Sequence, residues 1–156
     1  MTVHLTASRA VPVPVEEAFE RILPLPLERI FRRRFAAIAA ISGVSGQDGE
    51  WGTVGQTRTV ELSDGGRLHE TLTELDEPHS FAYRLTVTRG PNRFLIGGVV
   101  GRWSFEPAGT GTRITWSWQV TPANTVAGAL MPAFKRMWNG YARQALEEIE
   151  TVLVAD

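Results

Sequence analysis

The 156-residue sequence predicts an α+β domain in which a curved antiparallel sheet of six to seven strands wraps a long C-terminal helix, with two short helices after the first strand. Three observations carry this. The opening segment alternates with period two, the middle of the chain is a series of short alternating runs broken by turn residues, and the last third repeats its apolar residues every three or four positions.

In residues 2–11, TVHLTASRAV, Val3, Leu5 and Ala7 fall on one side and His4, Thr6 and Ser8 on the other, the pattern of a half-buried strand. Pro14 then opens a helical stretch with Ala18, Phe19, Ile22 and Leu23 at helical spacing and Glu16 and Glu17 in the first turn, where carboxylates are favoured. Pro24 and Pro26 end it. A second short helix is predicted over Leu27 to Phe35, with Leu27, Ile30, Phe31 and Phe35 on one side and Arg32, Arg33 and Arg34 mostly on the other. The arginines read as a solvated face or as a contact for an acidic partner.

From Ile38 to Thr121 the text is that of an antiparallel meander. Gly55–Leu62 and Arg67–Leu75 flank Ser63-Asp64-Gly65-Gly66, which predicts a tight hairpin at Asp64-Gly65. Turn residues at Asp76–His79, Arg89–Asn92 and Pro107–Gly111 leave strands near 80–88, 95–106 and 112–120. After Pro122, Ala127, Leu130, Met131, Phe134, Trp138, Tyr141, Ala145, Ile149 and Val152 form one apolar stripe. Pro132 marks either the true first turn of this helix or a kink, and Gly140 weakens its middle by about 1 kcal/mol relative to alanine.

Composition narrows the functions. Hydrophobic residues at 43% and charged residues at 21% describe an ordinary globular chain, and the length suits one domain, here taken as residues 1–156. A net charge of −1 supplies no positive field to draw the protein onto nucleic acid. The chain has no cysteine, so thiol chemistry and disulfides are excluded, and His4, His69 and His79 show no metal-binding spacing. Neither a nucleophile elbow nor a phosphate loop is present, so no metal or cofactor is expected. The start lacks a basic segment followed by an apolar run, and the longest apolar stretch, Phe35 to Ile41, is far too short to span a bilayer. The expectation is a soluble cytoplasmic protein, monomer or homodimer.

A twisted sheet wrapped around one helix leaves a gap that side chains need not fill, and such gaps bind apolar molecules. At this point the chain resembles the START-like or Bet v 1-like (SRPBCC) superfamily, in particular its bacterial polyketide cyclase/dehydrase-like branch. The likeness rests on element order, on Val13-Pro14-Val15-Glu16-Glu17-Ala18-Phe19, on Trp51-Gly52-Thr53-Val54-Gly55 before a strand, on Glu70 followed by Leu75-Asp76-Glu77-Pro78, and on Gly111-Thr112-Arg113-Ile114-Thr115-Trp116. It implies a helix-grip fold with a hydrophobic cavity under the C-terminal helix. It also implies lipids, sterols, quinones or polyketides as the class of ligand, with a few members catalysing cyclisation or dehydration. The superfamily has no common catalytic motif, so no active-site residue comes with the resemblance.

The candidate binding residues follow from strand parity. Trp116 and Trp118 share a face with Ile114 and Val120, Phe81, Tyr83 and Leu85 form a row with Val87, and Trp103 stands with Phe105. From the helix come Leu130, Met131, Phe134, Trp138 and Tyr141. These residues either line a pocket or pack as core; as a group, so many large rings on one concave face are hard to pack without voids. Glu70 shares a face with Leu68 and Leu72. Symmetry about positions 64 and 65 sets Arg58 opposite 71 and Glu70 opposite 59, on different faces, whereas a shift caused by the extra Gly66 reverses that parity; the sequence leaves both open. Glu70 is thus a solvent-facing or ion-paired glutamate, a polar anchor in the cavity, or a general acid/base with a pKa raised by burial. Tyr83 and Tyr141 are donors to a ligand carbonyl, or half-buried tyrosines whose hydroxyls reach water.

The function expected is binding, and transport, of a hydrophobic small molecule such as a lipid or polyketide-like compound. The alternative is a cofactor-independent cyclase or dehydratase using Glu70 or a tyrosine. A third reading is a module whose sheet face or basic helix contacts another protein, which a large exposed apolar patch would favour.

Overall fold

The computed structural model describes residues 1–155. The order is β1 (Val3–Val11), α1 (Val15–Ile22), α2 (Leu27–Ile30), β2 (Ile41–Ser45), β3 (Thr57–Leu62), β4 (Arg67–Asp76), β5 (Ser80–Arg89), a single 3-10 turn (Pro91–Phe94), β6 (Ile96–Ala108), β7 (Gly111–Pro122) and α3 (Thr125–Val154). The seven strands form one antiparallel sheet in the order β1-β7-β6-β5-β4-β3-β2. α3 lies against β1 and β7 and touches both short helices, which gives the helix-grip arrangement expected above. Its buried side, with Trp138, Ala142, Ala145 and Ile149, meets Leu5, Ile114, Trp116 and Val120 of the sheet. No helix among the described residues is long and apolar enough to cross a membrane.

Local chemistry accounts for the helix ends. Asn124 caps α3, its side-chain oxygen accepting from the Ala127 N–H at 2.8 Å. At the other end Arg21 of α1 donates to the Val152 and Leu153 carbonyls at 2.8 and 3.1 Å, satisfying groups that the helix terminus leaves open. Pro132 sits inside α3, past its first turn, so α3 starts well before the proline. Leu130, placed by periodicity on the apolar stripe, is 53% exposed and takes no part in the core.

Two further expectations change. The second helix is one turn, Leu27–Ile30, and stops short of Phe35. The Phe31 carbonyl, which a longer helix would offer to residue 35, instead accepts from the Ile41 N–H at 2.8 Å, while Phe35 and Ile38 exchange backbone bonds of 2.9 Å. The three arginines are thus freed from helical spacing, and Phe31 turns inward.

The β3–β4 hairpin also differs in a way that matters for chemistry. Its loop has three residues, closed by Leu62 N–H to the Gly66 carbonyl at 2.9 Å and Gly65 N–H to the Leu62 carbonyl at 3.0 Å. Gly65, at φ +90°, occupies the left-handed position that a three-residue hairpin needs. The register therefore pairs Val60 with Leu68 and Arg58 with Glu70, one residue off the symmetric two-residue reading. Arg58 and Glu70 consequently share a face.

Gly140 has a packing reason. A Cβ there would fall 2.2 Å from Cζ of Phe35, so the Phe35 ring rests directly on the helix backbone. Gly140→Ala alone is expected to lower the melting temperature despite the better helix propensity of alanine. In a Phe35→Ala background the same change should raise stability by about 1 kcal/mol. A thermal-denaturation cycle over the four variants checks this, and a stabilising effect of Gly140→Ala in the wild-type background would contradict it.

Candidate functional site

Ladder register arranges the concave face in rows that run across the strands. One row joins Arg58, Glu70, Leu85, Val99 and Val120; the next joins Leu72, Tyr83, Gly101 and Trp118; a third joins Leu75, Phe81, Trp103 and Trp116. The third row meets α3 through rings that interlock. Trp116 stacks on Trp103 at 5.3 Å and on Trp138 at 4.8 Å between centroids, and Phe31 lies 5.0 Å from Trp116 and 5.4 Å from Tyr141. This cluster fills the space nearest the helix.

It does not fill the rest. Between the cluster, the segment from Ile22 to Ile41 and strands β3 to β5 lies a cavity of about 100 Å³, where one water needs roughly 10–15 Å³. Glu70, Phe81, Tyr83, Leu85, Trp103, Trp116, Trp118, Phe134, Trp138 and Tyr141 all line it. Met131 does not: it is buried, but it packs into the core away from the void. Residues that sequence reasoning left out of the lining include Phe31, Ile38, Ala39 and Ile41. Phe31 reads from spacing only as the apolar side of a longer second helix and Ile41 opens β2, while Ile38 and Ala39 lie in the irregular stretch between them, where no periodic signal marks them.

The polar part of the lining is compact. Arg58 donates from Nε to Glu70 Oε1 at 3.0 Å and from Nη2 to Oε2 at 3.4 Å, with both side chains 5% exposed. Nη1 donates to Gln47 Oε1 at 3.2 Å, and the guanidinium carbon sits 3.8 Å from the centre of the Trp51 ring. The loop that brings Gln47 and Trp51 here is held by one side chain. Gln56 Oε1 accepts from the Gly52 and Thr53 N–H groups at 2.7 and 2.6 Å, and Nε2 donates to the Asp48 and Glu50 carbonyls, both at 3.0 Å.

Burial pushes the Glu70 carboxyl above its ordinary value, and the Arg58 charge and hydrogen bonds oppose this without overcoming it. A carboxyl whose pKa is higher in the folded than in the unfolded chain binds more protons when folded. Its contribution is therefore fully present below about pH 4.5 and is lost as pH rises towards the folded pKa. The melting temperature of the wild type minus that of Glu70→Gln should fall across that window. A difference that is flat or rises with pH contradicts the shift.

The two tyrosines separate. Tyr141 donates to the Ala39 carbonyl at 3.0 Å, so its proton serves the irregular segment of the wall and neither water nor a guest. Tyr83 accepts the indole N–H groups of Trp116 and Trp118 at 2.7 and 2.9 Å. Burial raises both phenols well above their ordinary range, which keeps them neutral. Among the described residues no cluster of His, Asp and Glu is placed to hold a metal ion.

The model of the family described as polyketide cyclase/dehydrase and lipid transport matches residues 2–154. No curated protein matches the chain in sequence. Among solved structures, the chain is similar to major latex-like protein 151 from Panax ginseng, with a TM-score of 0.73, 17% identity and 99% of each chain covered. It is similar to Ara h 8.0201, with a TM-score of 0.68, 15% identity and all of both chains covered. A third likeness is to DynU16, a protein of the dynemicin biosynthetic locus, with a TM-score of 0.63, 16% identity, and coverage of 95% of this chain and 47% of that one. At these identities the likeness is one of fold.

Proposed function

We propose that this chain, which belongs to the polyketide cyclase/dehydrase and lipid transport family, binds a hydrophobic small molecule inside the helix-grip cavity. The observation that carries the reading is the void of about 100 Å³ left beside the aromatic cluster, walled by apolar side chains and one buried ion pair. Binding would come from removing apolar ligand surface from water. A guest that buries roughly 200 Å² gains about 5 kcal/mol at about 25 cal/mol per Å². The few polar groups would fix its orientation. A guest seated in this cavity is withdrawn from water over much of its surface, which is also what carriage of a lipid or polyketide-like compound requires. Native mass spectrometry of gently purified protein, with solvent extraction of the same sample, tests it. An apolar small molecule released on denaturation supports the reading; a chain that is bare and takes up none when offered a mixed apolar extract opposes it.

One observation favours a catalytic reading of the same cavity. Glu70 combines burial, a raised pKa and a position on the wall, the properties of a carboxyl that exchanges protons with a guest. In that reading Glu70 takes the proton from the carbon beside a carbonyl and returns it either to the alkoxide formed when that carbon attacks a second carbonyl or, in a dehydration, to the hydroxyl that departs as water, while the aromatic walls hold the chain folded. Turnover of poly-β-ketone substrates by wild type and by Glu70→Gln decides it. Equal rates in the two remove Glu70 from the chemistry.

A further inference from the structure

Tyr83 is held so that its hydroxyl has one way left to bond. Its ring covers Gly101, its cross-strand partner, where a Cβ would come within 2.1 Å of ring atoms. The missing side chain is what lets the phenol reach the indoles on β7. A phenol oxygen offers two lone pairs and one proton. With the Trp116 and Trp118 N–H groups aimed at it from 2.7 and 2.9 Å, the acceptor side is used. None of the hydrogen bonds among the described residues takes the Tyr83 proton, and the residue lines the cavity.

Apart from the buried indole N–H of Trp138, a further donor that has no hydrogen-bond partner among the described residues, the polar side chains Arg58, Glu70 and Tyr141 of the wall are matched to protein. Arg58 and Glu70 form a two-bond fork whose charges cancel, and Tyr141 is spent on the Ala39 carbonyl. The remaining N–H groups of Arg58 add donors and no acceptor. Apart from the half-buried Asn92, the cavity therefore offers a guest donors in an apolar, charge-balanced setting. A carboxylate entering it would bring a second negative charge to a cation already paired, and an uncompensated buried charge is costly.

Resting on the binding reading above, we propose that the guest is an uncharged molecule of apolar skeleton bearing a carbonyl oxygen, such as a ketone or quinone, that accepts the Tyr83 proton, and that carboxylates are discriminated against. Burial keeps the phenol neutral, so the donor persists across the physiological pH range.

Three probes on one skeleton test this by calorimetric titration of the full chain: 2-acetylnaphthalene, 2-ethylnaphthalene and 2-naphthoate. One neutral hydrogen bond predicts that the ketone binds roughly two- to ten-fold tighter than the hydrocarbon. The naphthoate should bind at least ten-fold more weakly than the ketone, roughly 1.4 kcal/mol. Tyr83→Phe should bring the ketone-to-hydrocarbon ratio to one. Because that variant leaves two indole donors unmatched and could loosen the core, the infrared carbonyl stretch of carbonyl-labelled 2-acetylnaphthalene bound to wild type gives an independent reading. It should lie below its value in an aprotic solvent. Equal affinity of ketone and hydrocarbon for wild type, an unshifted stretch, or tighter binding of naphthoate overturns the inference while leaving the binding reading standing. Failure of all three probes to bind overturns both.

Discussion

Arg58→Ala is expected to destabilise the fold by about 3–5 kcal/mol at neutral pH, the cost of leaving one member of a buried ion pair alone. The size follows from the surroundings. Glu70 is 4% exposed and receives two hydrogen bonds, both from Arg58, so the truncation strips its compensation in a single step. It also removes the cation stacked on Trp51 and the donor to Gln47, two contacts that fasten the loop around Gln56 to the sheet. Against a typical total stability of about 5–15 kcal/mol the loss is large. Urea denaturation should show a smaller deficit near pH 5 than near pH 8, because the stranded carboxyl can protonate in acid. The double variant Arg58→Met, Glu70→Leu should recover most of the loss, since apolar replacements of similar size need no partner. A single variant as stable as the wild type at pH 8 would mean that water reaches Glu70 and that the polar wall is open.

The second large effect is expected at Trp116. It is 2% exposed, and its ring touches those of Phe31, Trp103, Trp118 and Trp138. Trp116→Ala should cost about 3–5 kcal/mol, combining lost apolar burial with a cavity that the neighbouring strands cannot collapse. It also removes one of the two N–H donors to Tyr83, so the phenol oxygen regains a free lone pair. Trp116→Phe, which keeps ring burial but not the donor, should cost less. A loss under 1 kcal/mol for Trp116→Ala, measured by chemical denaturation, would show that the cluster is loosely packed and that the void extends through it.

How far these features could be read beforehand depended on whether they were periodic. The strand alternations through Tyr83 and Trp116 and the stripe through Trp138 repeat with fixed periods, so their inward direction was legible from spacing alone. Arg58 facing Glu70 was not, because parity across a hairpin turns on one residue of loop length. Gly65 at a positive φ made the loop three residues long, where the symmetric reading used two. Phe31 and Ala39 escaped for a different reason. They enter the wall through an irregular stretch whose shape is set by Ile41 bonding the Phe31 carbonyl, a contact with no sequence signature. The bond from Tyr141 to Ala39 depends on that same stretch, so its proton could not be assigned in advance. Gly140 read as a weak point of the helix until the Phe35 ring supplied its purpose.

Whether the hollow beside the tryptophans accepts a guest is tested most directly by filling it from the wall. Ala39 is 2% exposed and lines the space, and Ala39→Leu adds three carbons there without touching the Arg58–Glu70 pair, while the Ala39 carbonyl that Tyr141 uses is retained. Titration of both proteins with 2-acetylnaphthalene, alongside their melting curves, should show saturable one-to-one binding to the wild type. The filled variant should bind at least ten-fold more weakly, with its melting temperature held or raised. Equal affinity in the two proteins would place the guest elsewhere on the molecule and contradict the account.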